Sequence, residues 1–567
     1  MGDQVLTLDV GPSMLLSKLM DEIRFVEIIN ESLTWDQERC GLSPGTRIKA
    51  LILNILCQGN PLYKVKEFYE KQDVEFLFGS GTTAEQFNDD ALGRALDYLY
   101  EATPWKVYTP VALSAMNKLN ITLGLLHNDT TSFSVYGEYT PKSDTGSESE
   151  KILSVTRGYS KEHRPDLKQI MLGMAVTPER IPLLAKMENG NTSDVKWNME
   201  FIKKLREALT KEDWSNLLYQ ADSALVSKEN LDGLADHQLD FLSRLPDTFS
   251  LSSELKTKAW KEGNWVDIGK LSAKKDGAQY RYQPFECELE GRTYRFLVVH
   301  SDQLGKLKAK RLEADVQKEH KHLDKSIEKL CTTPFHCKED AQEAREAFEK
   351  KHKARLHEYR LDITATEEMV KRSRRGRPKK EEQALTETVY RITLQSLKEN
   401  PEEIEHRLRL MSTFILITNR MDKSKLPDLD MLKCYKGQSA AETRFRLLKE
   451  EQMIDAVLIK TPERIEALGI VYVMALLIYG MLEYRVRAEM KMQERPLILK
   501  GNRKLFDPTG KALLEQLQDI RLIVIRQGGH TLRYLPDNIG EETKRIVSLA
   551  GYDMSIYVSK YQGKVKA

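Results

Sequence analysis

The chain has 567 residues, too many for one ordinary domain at about 150 residues each, so three or four domains are expected. Charged residues make up 30% of it but nearly balance, 87 basic against 85 acidic, which excludes nucleic-acid binding by global charge and leaves local basic clusters as the only route. Six scattered cysteines, a start without a basic-then-apolar signal, and a most hydrophobic run of only 16 charge-free residues (Ala467 to Leu482) argue against a disulfide scaffold, export and a bilayer helix of about 20 residues; the expectation is a soluble intracellular chain with no membrane partner.

Residues 1–118 read as an all-helical domain. Apolar residues recur at helical spacing in LLSKLMDEIRFVEIINESL, in TRIKALILNIL after the start signal Ser43-Pro44-Gly45, in PLYKVKEFYEKQDVEFLF and in ALGRALDYLYEA. Asn88, Asp89 and Asp90 precede a helical pattern, where such side chains cap amides rather than gather a metal. Short helices joined by tight turns ahead of a larger domain suit helix-turn-helix DNA binding, and equally a plain packing domain.

From Ile121 the period becomes strand-like. ITLGLLHNDTTSFSVYG carries an apolar run that ends at Asp129, and QIMLGMAVTPERIPLLAKME reads as a β-hairpin around Pro178. A helix (NMEFIKKLREAL), a strand that delivers Asp222 at its end (NLLYQADSAL), a second helix (SKENLDGLADH) and a further strand (LDFLSRL) follow. Interleaved strands and helices over 119–248 predict the first part of a mixed α/β sheet, in which functional side chains gather at strand ends.

Residues 249–408 interrupt this pattern. NWVDIGKL, QYRYQPFECEL and YRFLVVH predict a small sheet, and Asp302 to about Tyr359 a long helical segment with opposite charges at i,i+4. KRSRRGRPKK, residues 371–380, then places seven basic side chains in ten positions, the mark of a flexible or phosphate-facing loop. The α/β pattern resumes over 409–490 with STFILITN, the stretch YKGQSAAETRFRLLK and the apolar helix. In the tail, 491–567, a helix runs into a strand, LIVIRQ, that has no obvious partner within the tail; this makes the tail a candidate dimer interface.

Read as one helix, residues 435–449 place Tyr435, Gln438, Glu442 and Lys449 within an arc of about 60°, beside an apolar stripe of Cys434, Ala441, Phe445 and Leu448. Such a face suits a metal-bound phosphate; a surface amphipathic helix has the same pattern. Asp129, Asp222 and Glu442 are together the donor set that two-Mg²⁺ phosphodiester chemistry requires, because hard cations want carboxylate oxygens.

LLHNDTTS around Asp129, YQADSAL around Asp222 and the Tyr435, Glu442, Lys449 spacing together resemble the DDE transposases of bacterial insertion sequences, in the group with a tyrosine, arginine, glutamate and lysine signature. GYSKEHRPDLKQIMLG at 158–173, NGNTSD at 189–194 and FHCKEDAQEA after Phe335 are similar to segments of that group, in the same order. The resemblance implies an α/β ribonuclease H-like catalytic core, split between 119–248 and 409–490 by an inserted α+β domain at 249–408 and preceded by the helical domain, which would bind transposon ends. It implies that Asp129, Asp222 and Glu442 are catalytic and hold two Mg²⁺ ions, with Mn²⁺ as a substitute, and that Tyr435 and Lys449 contact end phosphates. The implied protein is a bacterial, cytoplasmic, nucleoid-associated enzyme that binds inverted-repeat ends and target double-stranded DNA as a homodimer. It would cleave and join strands, with a hairpin intermediate on the transposon end.

Where the signature has arginine this chain has Gln438, which lacks the charge and the bidentate fork; Lys436, Arg444 or Arg446 are candidates to compensate. A catalytically decayed copy, or a regulator that only binds DNA, is the competing reading. His163 and Arg164 of the HRPD segment could contact DNA or form a structural turn. Arg375 and Arg377 sit in a core that resembles a minor-groove AT-hook, with non-specific phosphate contact as the alternative.

Overall fold

The computed structural model describes residues 4–135, 153–158, 164–271, 276–369, 386–449, 461–527 and 530–558. The chain divides into two units, Met1–Ser243 with Ser424–Ala567, and Arg244–Lys423. Both halves of the expected catalytic sheet's carboxylate set, and the regions 1–118 and 491–567, fall in the first; 249–408 falls in the second.

The apolar run of the sequence lies inside a 29-residue helix, Pro462–Met490, started by Pro462 in its first turn. Its residues are buried on all sides, as a helix without a polar face must be, and although one window is apolar enough to cross a bilayer, 83% of that window is buried inside the protein. Helices Ser13–Glu22, Pro44–Cys57, Asp89–Glu101 and Pro104–Lys118 pack on it. Ser43 caps the second of these by accepting from the Thr46 amide at 3.1 Å, and Asn88 caps the third by accepting from the Ala91 amide at 2.9 Å, the role the sequence assigned to that cluster.

The front of the chain is not all-helical. Gln4–Leu8 forms a strand, β1, that pairs antiparallel with Leu522–Gln527, whose other edge pairs with His530–Tyr534. Both edges of the LIVIRQ strand are therefore taken within the chain, and the reason for expecting a dimer interface at that strand disappears. Arg533 makes two hydrogen bonds to the buried Asp73, at 2.6 and 3.2 Å, and Gln518 donates to the Cys57 carbonyl at 2.6 Å, so tail and front region share one packed unit.

The sheet of this unit contains β2 (Leu125–Val135), β3 (Lys168–Val176), β4 (Pro182–Asn189), β5 (Leu218–Gln220) and β6 (Asp240–Arg244), in the order β4-β3-β2-β5-β6. β2 is antiparallel to β3 and parallel to β5, which makes the sheet mixed, as the interleaved pattern predicts. Two close approaches demand glycine. At Gly173 on β3 a Cβ would fall 1.6 Å from the Trp197 ring, and at Gly190 it would fall 2.1 Å from the Gln169 carbonyl oxygen.

In the second unit, strands Val266–Lys270, Gln279–Leu289, Arg292–Ser301 and Thr413–Thr418 pair antiparallel. Helices Asp302–Cys331 and Lys338–Lys351 and a long hairpin, His357–Met369 with Thr386–Glu399, share a small core of Leu323, Ile327, Phe348, Leu361 and Ile392. The helical segment expected to reach Tyr359 stops earlier, because Leu361, Ile363 and Ala365 alternate with Asp362, Thr364 and Thr366 at period two and the segment pairs across the hairpin.

Candidate functional site

The site begins with a register. β2 pairs with β5 so that Leu125 faces Leu218 and His127 faces Gln220, where the ladder ends; Asp129 and Asp222 each follow two residues after that last pair. Asp222 stands two residues beyond the end of β5, where the sequence placed it. Its carboxylate accepts from the Ala224 amide at 3.1 Å, and its carbonyl accepts from Ser243 Oγ at 2.7 Å. Asp129 is not at a strand end: TTSFSV continues β2 to Val135 against β3, since Thr and Phe are good strand formers. It sits instead where β2 outruns its parallel neighbour, with Oδ1 accepting from the Thr130 amide at 2.8 Å.

The stretch 435–449 is two helices, Asp428–Lys436 and Ser439–Leu448, joined at Gly437 and Gln438. The amides of Gln438, Ala440 and Ala441 each bond to the carbonyl three residues back, the tighter 3₁₀ pattern that stacks residues i and i+3; Tyr435 and Gln438 thus stay one above the other across the break. Both are half-buried, whereas Glu442 and Lys449 are exposed.

Two contacts dock this junction on β2 and β5. Gln220 donates to the Tyr435 carbonyl at 3.1 Å, and Gly437 lies so close to His127 that a Cβ there would be 3.2 Å from its ring. At the other end the Lys449 ammonium stands 5.7 Å from the Phe133 ring centroid. The helix thereby runs alongside β2 from His127 towards Phe133. Glu442 lies between these two anchors, five residues after Gly437 and seven before Lys449. His127 is buried, its Nδ1 has no protein hydrogen-bond partner, and burial pushes its pKa down to about 4 against the opposing influence of Gln220, so the base of the site is neutral at pH 7.

Among the described residues, no three His, Cys, Asp or Glu side chains are drawn together as a metal-holding group. The donor chemistry nonetheless suits a hard cation: all three are carboxylates, each aspartate accepts a local amide bond, and Glu442 is exposed.

The other candidates separate. Arg164 is exposed and pairs with Asp166 two residues on, at 3.0 and 2.8 Å, holding the Asp166 carboxyl below its ordinary range. His163, Arg375 and Arg377 lie outside the described residues. Lys436 and Arg446 are exposed, but Arg444, a candidate to replace the missing signature arginine, is 1% exposed and cannot reach DNA. Its guanidinium donates to the Arg180 carbonyl at 2.7 Å and to Glu483 at 2.8 Å. A lone arginine two residues from an exposed glutamate reads as a surface charge, and its partner 39 residues away carries no periodic signal.

Comparison with known proteins covers the stretch that carries Asp129, Asp222 and Glu442. Residues 128–478 match the family model described as a transposase DDE domain, and residues 7–113 match one described as a domain of unknown function, DUF4277. No curated protein matches the chain. Among solved structures, the cryo-EM structure of a piggyBac transposase synaptic complex with hairpin DNA is similar, with 12% identity, 89% of this chain and 79% of that chain covered, and a TM-score of 0.36.

Proposed function

The chain belongs to the DDE transposases, and from that premise we propose that it binds the terminal inverted repeats of its own insertion sequence and cuts and joins DNA at Asp129, Asp222 and Glu442. Support comes from one observation above all: the last pair of the β2–β5 ladder, His127 and Gln220, two residues before Asp129 and Asp222, seats the junction that leads into the helix bearing Glu442. The three carboxylates would hold two Mg²⁺ ions, or Mn²⁺, which supply activation of water and charge neutralisation at the scissile phosphate. Tyr435 and Lys449, on the same side as Glu442, would bind end phosphates, with Gln438 donating a neutral hydrogen bond where an arginine would give two charged ones.

The strand cleaved by water would free a 3′-hydroxyl that attacks the opposite strand, closing a hairpin on the transposon end, or attacks target DNA. The helical region 1–118 would read the end sequence and two copies would pair the ends, with Arg164, His163, Arg375 and Arg377 as further DNA contacts, in a bacterial cytoplasm. The test is cleavage of an end-sequence duplex by purified protein with Mg²⁺; binding without cleavage would instead favour the decayed or regulatory reading, for which Gln438 is the supporting observation. Gln438→Arg should cleave at least as well as the parent, and weaker cleavage would show that this face does not grip phosphate.

A further inference from the structure

We propose that Arg444 is the positioning residue of Glu442: it locks the rotation and height of the Ser439–Leu448 helix and so fixes where that carboxylate stands. The inference rests on the metal-holding role given to Glu442 above. The two side chains lie two residues apart, about 200° around the helix, so one faces out while the other faces in. Any turn of the helix that moves Glu442 must pull Arg444 from its seat.

That seat is directional. Arg444 Nε donates to the Arg180 carbonyl, in the turn between β3 and β4, and Nη2 donates to Glu483 Oε2 on the core helix. Glu483 is 3% exposed, and its second oxygen accepts from the Gly510 amide at 3.2 Å and pairs with Arg487 at 3.1 Å, so the acceptor is itself held. The Tyr479 ring stands 5.2 Å from the Arg444 guanidinium, and its hydroxyl accepts from the Lys511 amide at 2.8 Å. Gly480 supplies the space, since a Cβ there would lie 3.2 Å from Nη2. The helix's other buried residues, Ala440, Ala441, Phe445 and Leu448, make apolar contacts that tolerate rotation, whereas a planar fork satisfied on two elements does not. A buried ion pair is weak evidence for stability because apolar residues of similar volume replace it well; orientation is what it supplies here.

The test uses the full chain and its end duplex, with Arg444→Lys, which keeps the charge but not the fork, and the volume-conserving double variant R444M/E483M. Amide hydrogen exchange over 439–448 reads the lock, and Mn²⁺ binding to the protein–DNA complex, followed by the free-ion electron paramagnetic resonance signal, reads its consequence. Exchange should quicken, and half-saturating Mn²⁺ and the Mg²⁺ requirement for cleavage should rise, each by about tenfold or more, at a melting temperature near the parent's. Unchanged exchange in Arg444→Lys overturns the lock. Quickened exchange with unchanged Mn²⁺ affinity in both variants overturns the positioning of Glu442 and leaves Arg444 a packing residue. If Glu442→Gln itself leaves Mn²⁺ binding unaltered, the site assignment fails, and with it the proposal, while the exchange result still judges the lock. Should the double variant not fold, Arg444→Lys decides alone.

Discussion

Two arginine–glutamate pairs show how differently the two units use charge. In the first unit Arg444 and Glu483 have side chains 1% and 4% exposed and join three elements around the site. In the second, Arg409 and Glu405 are paired one turn apart on a single helix, 46% and 63% exposed. The first pair is held in place by desolvation, since losing either partner strands a buried charge; the second only rearranges in water. The buried pair thus fixes the geometry of the elements it joins, whereas the exposed pair solvates its helix. The apolar contents follow suit: a helix buried on all sides in one, a core cluster centred on five residues in the other.

The largest expected effect tests this contrast directly. Glu483→Ala should cost about 3–5 kcal/mol in denaturant unfolding, because it strands the buried Arg444, whereas Arg487 keeps Asp507 at 2.8 Å; a loss under about 1 kcal/mol would show that water replaces the carboxylate and that the pair is not sealed. His127 gives the next. Its folded-state pKa of about 4 lies below the ordinary 6.5, so the unfolded chain takes up the proton first: the stability is present above pH 6.5 and is lost as pH falls towards 4. Across that window the parent should lose up to about 3 kcal/mol relative to His127→Phe, which keeps a ring but cannot titrate; parallel pH curves would mean that the imidazole is solvated.

Glycines sharpen the same comparison. Gly173→Ala should destabilise by about 1–3 kcal/mol because the Trp197 ring must move within a packed sheet face. Gly291 in the second unit has φ +75° and nothing within 4 Å, so alanine there should cost only backbone strain, about 1 kcal/mol. Equal effects would erase the distinction between packing and conformational demand. Smallest of all, Glu405→Ala should change stability by less than about 0.5 kcal/mol.

The residues that carry local pattern were legible in the sequence, and those that act through distant partners were not. Asp222 announced itself as the end of a short apolar run, and the apolar helix at 467–482 announced its burial. Asp129 was expected at a strand end but the strand runs on to Val135, because the apolar run stops at Asp129 while the hydroxyl-rich TTSFSV is paired by β3. The break at Gly437 leaves no periodic mark; the Cys434 carbonyl and the His127 ring, 3.0 and 3.2 Å from where a Cβ would stand, explain a residue without a side chain. Arg444 looked like a spare DNA contact because periodicity marks which face a residue occupies, not which carboxylate 39 residues on will hold it. The β1 strand escaped notice because its partner lies more than 500 residues later, beyond any local signal.

The most direct measurement is Mg²⁺-dependent cleavage of a duplex carrying the element's own end sequence by the purified parent and by Asp129→Asn, Asp222→Asn and Glu442→Gln, all checked for folding and end binding. The parent should cleave and each variant should bind the duplex yet lose cleavage by about a thousandfold or more, the scale of removing transition-state charge stabilisation worth several kcal/mol. Cleavage that persists undiminished in any one of the three would contradict the shared site built on the β2–β5 register.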